Sequence, residues 1–261
     1  MPAHSLPELD VSLLSADYVD PPEGVDVTSD YGTPNLLFLY YYRLVSDSDR
    51  EALKSLKNDI EAWNAWELAQ AESQLNNQMR KDNLPTDDLL ESRVKRTDYR
   101  AKVISALRQR SQSWLSETEN RQYSIEVETD EDNMNQRLMD ELQVRLESDE
   151  RLPDQFDVVL RIINRIIAAR RSDEFQQYQS THVELKVNED SNPEIKCISF
   201  TISEGEKKKR SDSVVVKIDY VNYRYQLDRN TWGENRDKAQ DMIARGESIR
   251  RDMTLELCVN N

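Results

Sequence analysis

The sequence predicts an α+β protein, a helical body followed by a C-terminal αβββαβ module with an antiparallel sheet. Three observations carry that prediction. Apolar residues recur at spacings of three and four through much of 50–171, the pattern of amphipathic helices. After about Tyr178 the period shortens toward two and β-branched and aromatic residues become more frequent, the pattern of strands. Turn-forming stretches at 84–88, 188–193 and 204–212 separate these segments.

Residues 1–33 hold seven acidic groups, no Lys or Arg, and four of the eight prolines. That composition predicts an extended, disordered acidic arm. Thr33-Pro34 suits a helix start and Leu36-Leu37-Phe38-Leu39 follows, so a short buried helix to about Val45 is expected. Ser48-Asp49-Arg50-Glu51 reads as a capping box, and Leu53, Leu56, Ile60 and Trp63 behind it predict a long helix to about Arg80. After the break at 84–88, a second helix carries Leu90, Val94, Ala101, Ile104 and Leu107 to about Trp114-Leu115. Two long helices joined by a short break make an antiparallel hairpin.

Tyr123, Ile125 and Val127 form a short strand-like fragment. Thr129-Asp130-Glu131 opens a helix to about Leu146, which closes the helical body at about residue 150. Pro153-Asp154 opens the most amphipathic helix of the chain, with Phe156, Val159, Leu160, Ile163, Ile166 and Ile167 on one face. Strands are expected over 181–187, 194–203 and 213–227, then a helix over 235–251 and a closing strand at Leu255-Glu256-Leu257-Cys258-Val259. The domains expected are therefore a 1–33 arm, a 34–150 helical body and a 154–261 module.

Composition excludes several function classes. Only five glycines occur, none between Gly32 and Gly205, so Walker loops, dinucleotide fingerprints and nucleophile elbows have no place in that stretch. His4 and His182 are the only histidines and Cys197 and Cys258 the only cysteines, so no metal site of the usual Cys/His kind and no cofactor is expected. The two cysteines fall on separate predicted strands and suit a reducing, intracellular, cytoplasmic setting. No secretory leader is visible at the N-terminus. The longest apolar run, Leu36 to Tyr42, is far below the roughly 20 residues of a membrane span. The net charge of −15 sits almost wholly in the first 180 residues, because residues 181–261 hold 15 acidic against 14 basic groups. The acidic part repels nucleic acid. Its Trp63, Trp66, Trp114 and Tyr40-Tyr41-Tyr42 are read as core, with some able to anchor a protein partner.

In the C-terminal part, Pro193-Glu194 opens a strand, Val214 to Val221 with Asn222-Tyr223 has the form of a hairpin, and Gly233-Glu234-Asn235-Arg236-Asp237-Lys238-Ala239-Gln240 has a glycine followed by cations at a helix start. Over 193–250 the chain thereby resembles a degenerate double-stranded-RNA-binding domain. The resemblance implies phosphate contacts from Lys207, Lys208, Lys209 and Arg210 in a loop and from Arg236 and Lys238 at the helix start. Asp237 and Gln240 stand in place of part of the family's lysines, and the same Lys/Arg run also reads as a solvated loop that blunts a sheet edge.

The strand-strand-strand-helix-strand order is also similar to that of the restriction-endonuclease-like nucleases, which hold a divalent metal with Glu-x-Lys. Glu184-Leu185-Lys186 and Glu194-Ile195-Lys196 have the spacing, but the third strand carries Val215-Val216-Lys217, and valine cannot ligate magnesium. The expectation is a non-enzymatic interaction or assembly protein whose body docks a protein partner and whose module contacts duplex RNA. A metal-dependent nuclease is the alternative.

Overall fold

The computed structural model describes residues 6–9, 17–32, 38–43, 50–109, 113–134, 136–137, 140–141, 144, 176–184, 194–204 and 213–259, and the chain is α+β. In order, the regular elements are β1 (Phe38–Arg43), α1 (Arg50–Arg80), α2 (Leu90–Gln109), β2 (Leu115–Asp130), β3 (Gln176–Glu184), β4 (Glu194–Glu204), β5 (Ser213–Leu227), α3 (Arg229–Arg236), α4 (Gln240–Met253) and β6 (Thr254–Val259). Strands β2-β5-β4-β3 form one sheet in that order, and β1 pairs with β6 in another. The latter pair is parallel, with Phe38 opposite Thr254 and Arg43 opposite Val259.

The chain divides into two compact units. One comprises Met1–Asn120, Gln179–Ile198 and Tyr223–Asn261, the other Arg121–Tyr178 and Ser199–Asn222. The division therefore does not follow the boundary expected near residue 150. The C-terminal helix and strand belong with the N-terminal segment because α4 buries Met242, Ile243, Ile249 and Met253 in the core that α1 also lines, and β6 pairs with β1. In the second unit, Ile125, Val127 and Met134 are buried, and Asp130 accepts from the Asn133 amide at 3.0 Å where a 3-10 turn follows β2.

Three further expectations are corrected. The helix expected from Thr33-Pro34 to about Val45 gives way to β1 over its described part, whose Phe-Leu-Tyr-Tyr-Tyr run suits a pleated strand. The short fragment around Ile125 belongs to the 16-residue strand β2, in which only Leu115, Ile125 and Val127 are buried, so the period-2 signal is weak. The last helix starts at Arg229 instead of 235 and is broken by a 3-10 turn over Asp237–Ala239. The amphipathic helix expected from Pro153 lies outside the described residues.

The core of the first unit is built around α1. Every residue from Trp63 to Asn76 is buried, about four turns, so this stretch is enclosed on all sides although it includes Asn64, Glu67, Gln70, Glu72, Ser73, Gln74 and Asn76. Its end is a Schellman turn: Asp82 takes φ +57°, Asn83 N–H donates to the Gln78 carbonyl at 3.0 Å and Asp82 N–H to that of Met79 at 3.1 Å. Trp66, Trp114 and Trp232 meet with ring centroids 5.5–6.2 Å apart, in edge and tilted contacts that aromatic quadrupoles favour.

Helix α3 is capped by Asp228, whose carboxylate accepts from the amides of Asn230 at 3.0 Å and Thr231 at 3.2 Å and from the Thr231 hydroxyl at 2.8 Å. The Thr231 hydroxyl and these amides hold its pKa below the ordinary carboxylate value. A carboxyl with a depressed folded pKa contributes stability above its unfolded pKa and loses that contribution as pH falls through the folded value. Asp228→Ala is therefore expected to lower the melting temperature at pH 7. Thermal melts at falling pH are expected to bring wild type and variant together at the acid end. A gap that persists unchanged into acid would contradict the cap's role.

Candidate functional site

Of the sequence-predicted cations, Arg236 and Lys238 fall among the described residues. Lys207, Lys208, Lys209 and Arg210 lie outside the described residues. Gly233 sits inside α3 rather than before a helix, so Arg236 ends that helix and Lys238 lies exposed in the following 3-10 turn. Arg236 Nη1 donates to Asp59 Oδ1 at 2.9 Å, while Arg229 Nε donates to Asp59 Oδ2 at 2.7 Å. Both arginines thus tie α3 to α1. On β5, Lys217 is exposed and pairs with Asp219 at 2.9 Å. Glu184 and Glu194 fall on β3 and β4 respectively.

The most constrained constellation is one that the sequence reading missed. The acidic arm, expected to be free, is docked over its described residues onto α1 and α2. Its backbone is read by side chains: Val19 N–H donates to Ser73 Oγ at 2.9 Å and the Val19 carbonyl accepts from Asn76 Nδ2 at 2.9 Å. Arg80 donates to the carbonyls of Asp20 at 3.0 Å and Pro21 at 3.2 Å. Lys102 donates to the Pro7 carbonyl at 2.6 Å. Val27 is buried, and Leu6, Leu9, Tyr18, Val25 and Tyr31 pack against the core.

At the arm's end, a 3-10 turn over Thr28–Gly32 carries Asp30 into the interior, where it is 2% exposed. Its two oxygens accept from Arg96 Nη2 at 2.7 Å and Nε at 2.8 Å and from Arg100 Nη1 at 2.8 Å. Arg100 in turn forks onto Glu72 at 2.7 and 3.0 Å. Arg96 also donates to the carbonyls of Pro85 at 3.1 Å and Asp87 at 2.7 Å. Two carboxylates thus balance two guanidiniums. A further buried fork joins Arg108 of α2 to Glu67 of α1.

Burial opposes the charge on Arg100, but Glu72 and Asp30 more than compensate, and its pKa rises. Tyr31, with its ring 5.6 Å beneath Arg100, has its phenol pKa raised by burial and by Glu72. Tyr18 is pushed up to about 12, again by burial first and Glu72 second. All three shifts hold the two phenols and the guanidinium in their protonated forms at neutral pH. The set holds one segment of the chain against two others through main-chain carbonyls and a buried carboxylate.

Sequence reasoning had little to find this with. Asp30 is one of seven acids in the arm, and Arg96 and Arg100 are two of 35 basic residues in a chain one third charged. The i, i+4 spacing of Arg96 and Arg100, which puts both on one helix face, is the one local signal.

Among the described residues, no group of three or more His, Cys, Asp or Glu is placed to hold a metal ion, and no helix is long and apolar enough to cross a membrane. No family model and no curated protein matches the sequence. Among solved structures the chain is similar to the Evf virulence factor, at 9% identity and a TM-score of 0.46, over 95% of this chain and 93% of that one. It is also similar to a delta-endotoxin, at 10% identity and a TM-score of 0.37, over 74% and 81%.

Proposed function

We propose that the chain is a non-enzymatic interaction and assembly protein whose helical body binds extended polypeptide, and whose C-terminal region contacts duplex RNA. The observation that supports the first part is the docked arm. The α1–α2 face already holds an extended segment, accepting from its Val19 N–H with Ser73 Oγ, donating to its carbonyls from Asn76, Arg80 and Lys102 and to its carboxylate from Arg96 and Arg100. Carbonyl readout tolerates many sequences, and the buried carboxylate fork supplies selectivity. The RNA contact rests on the resemblance over 193–250, with Lys238 exposed and Lys207 to Arg210 as the further cations.

One titration tests the RNA contact and the non-enzymatic reading. Full-length protein is mixed with labelled duplex RNA at low salt, where phosphate contacts are strongest, with and without magnesium or manganese. Retardation that weakens when Lys207, Lys208, Lys209 and Arg210 are changed to Ala is the expected result. No retardation removes the RNA part and leaves the polypeptide-binding reading. Metal-dependent cleavage of the RNA overturns the non-enzymatic reading.

A further inference from the structure

We propose that the α1–α2 face accepts the N-terminal arm of a second copy of this chain, so that two chains assemble by exchanging residues 17–32. The proposal rests on the reading of the body as a polypeptide-binding assembly surface and names its occupant.

The arm's contacts divide in a way that suits exchange. Bonds within the arm are local: Val25 N–H to the Pro22 carbonyl at 3.1 Å, Asp30 N–H to that of Val27 at 3.0 Å, and Thr28 to the Asp26 carboxylate at 2.7 and 2.9 Å. These travel with the segment. The bonds that hold it in place come from α1 and α2, at Ser73, Asn76, Arg80, Arg96 and Arg100, with Arg245 of α4 lying 5.4 Å over the Tyr18 ring. An identical arm from another chain restores every one of them.

An empty face is the costly state, because Arg96 and Arg100, each 1% exposed with the arm in place, would lose the carboxylate they share, and Val27 and Tyr31 the core they pack against. The face therefore stays filled, by its own arm or by an equivalent one. A foreign peptide would have to present a carboxylate eleven residues beyond the position read by Ser73 and Asn76, the spacing from Val19 to Asp30, and a second copy carries that spacing by construction. Reciprocal exchange of the two arms is isologous and gives a closed, two-fold dimer.

Two full-length single-cysteine populations test this in a Cys197→Ser, Cys258→Ser background. One carries Asp20→Cys and the other Arg245→Cys, exposed positions whose side chains pair at 3.7 Å. The populations are mixed at high concentration, warmed toward the melting temperature, cooled, diluted and treated with a short bis-maleimide, with a double variant as the intramolecular control. In parallel, native mass spectrometry weighs the unmodified chain taken through the same cycle. A mixed covalent dimer that survives dilution, together with a species of twice 30.6 kDa, is expected. A link within the double variant only, with a single 30.6 kDa species, overturns arm exchange and leaves a foreign partner for the face. A doubled mass without the mixed link assigns the dimer to another surface and also overturns it.

Discussion

Asp30→Ala is expected to destabilise the first unit by about 3–5 kcal/mol, the cost of leaving a buried cation without its partner. Arg96 would keep only the Pro85 and Asp87 carbonyls, and Arg100 would keep Glu72, so the network passes from neutral to one net positive charge in the interior. Against a total of about 5–15 kcal/mol for a folded protein, that is at least about a fifth of the stability. A urea titration followed by tryptophan emission reads it, since Trp66 and Trp232 are buried in the same core. Asp20→Ala is the control. Its side chain is 62% exposed and faces Arg245 at 3.7 Å, so little change is expected there. Equal effects of the two variants would show that the buried Asp30 carboxylate does not hold the arm.

Gly246→Ala is the second large effect, and here two physical tendencies point in opposite directions. Gly246 lies inside α4, where alanine is intrinsically better by about 1 kcal/mol. A Cβ there, however, would stand 1.7 Å from the Ala65 carbonyl oxygen, 2.4 Å from its carbonyl carbon and 2.9 Å from its Cα. These are backbone atoms of the fully enclosed part of α1, so they have no rotamer to change. The helices must part by more than an ångström, which loosens the packing of Met242, Ile243, Ile249 and Met253 together. Overpacking costs typically about 1–3 kcal/mol and occasionally more, and this site belongs at the upper end, with a net loss of about 2–3 kcal/mol. Gly233→Ala makes the comparison direct. Nothing lies within 4 Å of its Cβ position in α3, so propensity is unopposed and a gain of about 0.5–1 kcal/mol is expected. Thermal melts of the two variants should move in opposite directions, and a stabilised Gly246→Ala would contradict the close crossing of α1 and α4.

How much of this was legible depends on how local the cause is. Helices α1 and α2, the break between them and strands β3 to β5 follow from apolar spacing and turn residues, which act over a few positions. The hidden parts have distant causes. Phe38–Arg43 forms a strand because Thr254–Val259 pairs with it across more than 200 residues, and its apolar run reads equally as a buried helix segment. Strand β2 is mostly polar along its length. The arm was misjudged because composition counts charges without seeing which carboxylate is taken inside. Asp30 is stabilised there by two arginines 66 and 70 residues away. For the same reason α1 gave a narrow apolar stripe although residues 63–76 are buried all round: its polar face is covered by groups that hydrogen-bond to it.

Residues 17–32 are pinned to the helical body, and amide hydrogen exchange of the full-length protein measures this most directly. Amides bonded in a folded segment exchange only through local opening. The Val19 amide, held by Ser73 Oγ, and the Asp30 amide, held by the Val27 carbonyl, are therefore expected to be protected in the wild type and to lose that protection in Asp30→Ala while the centre of α1 keeps it. Exchange of residues 17–32 at the rate of an unstructured peptide in the wild type would contradict this.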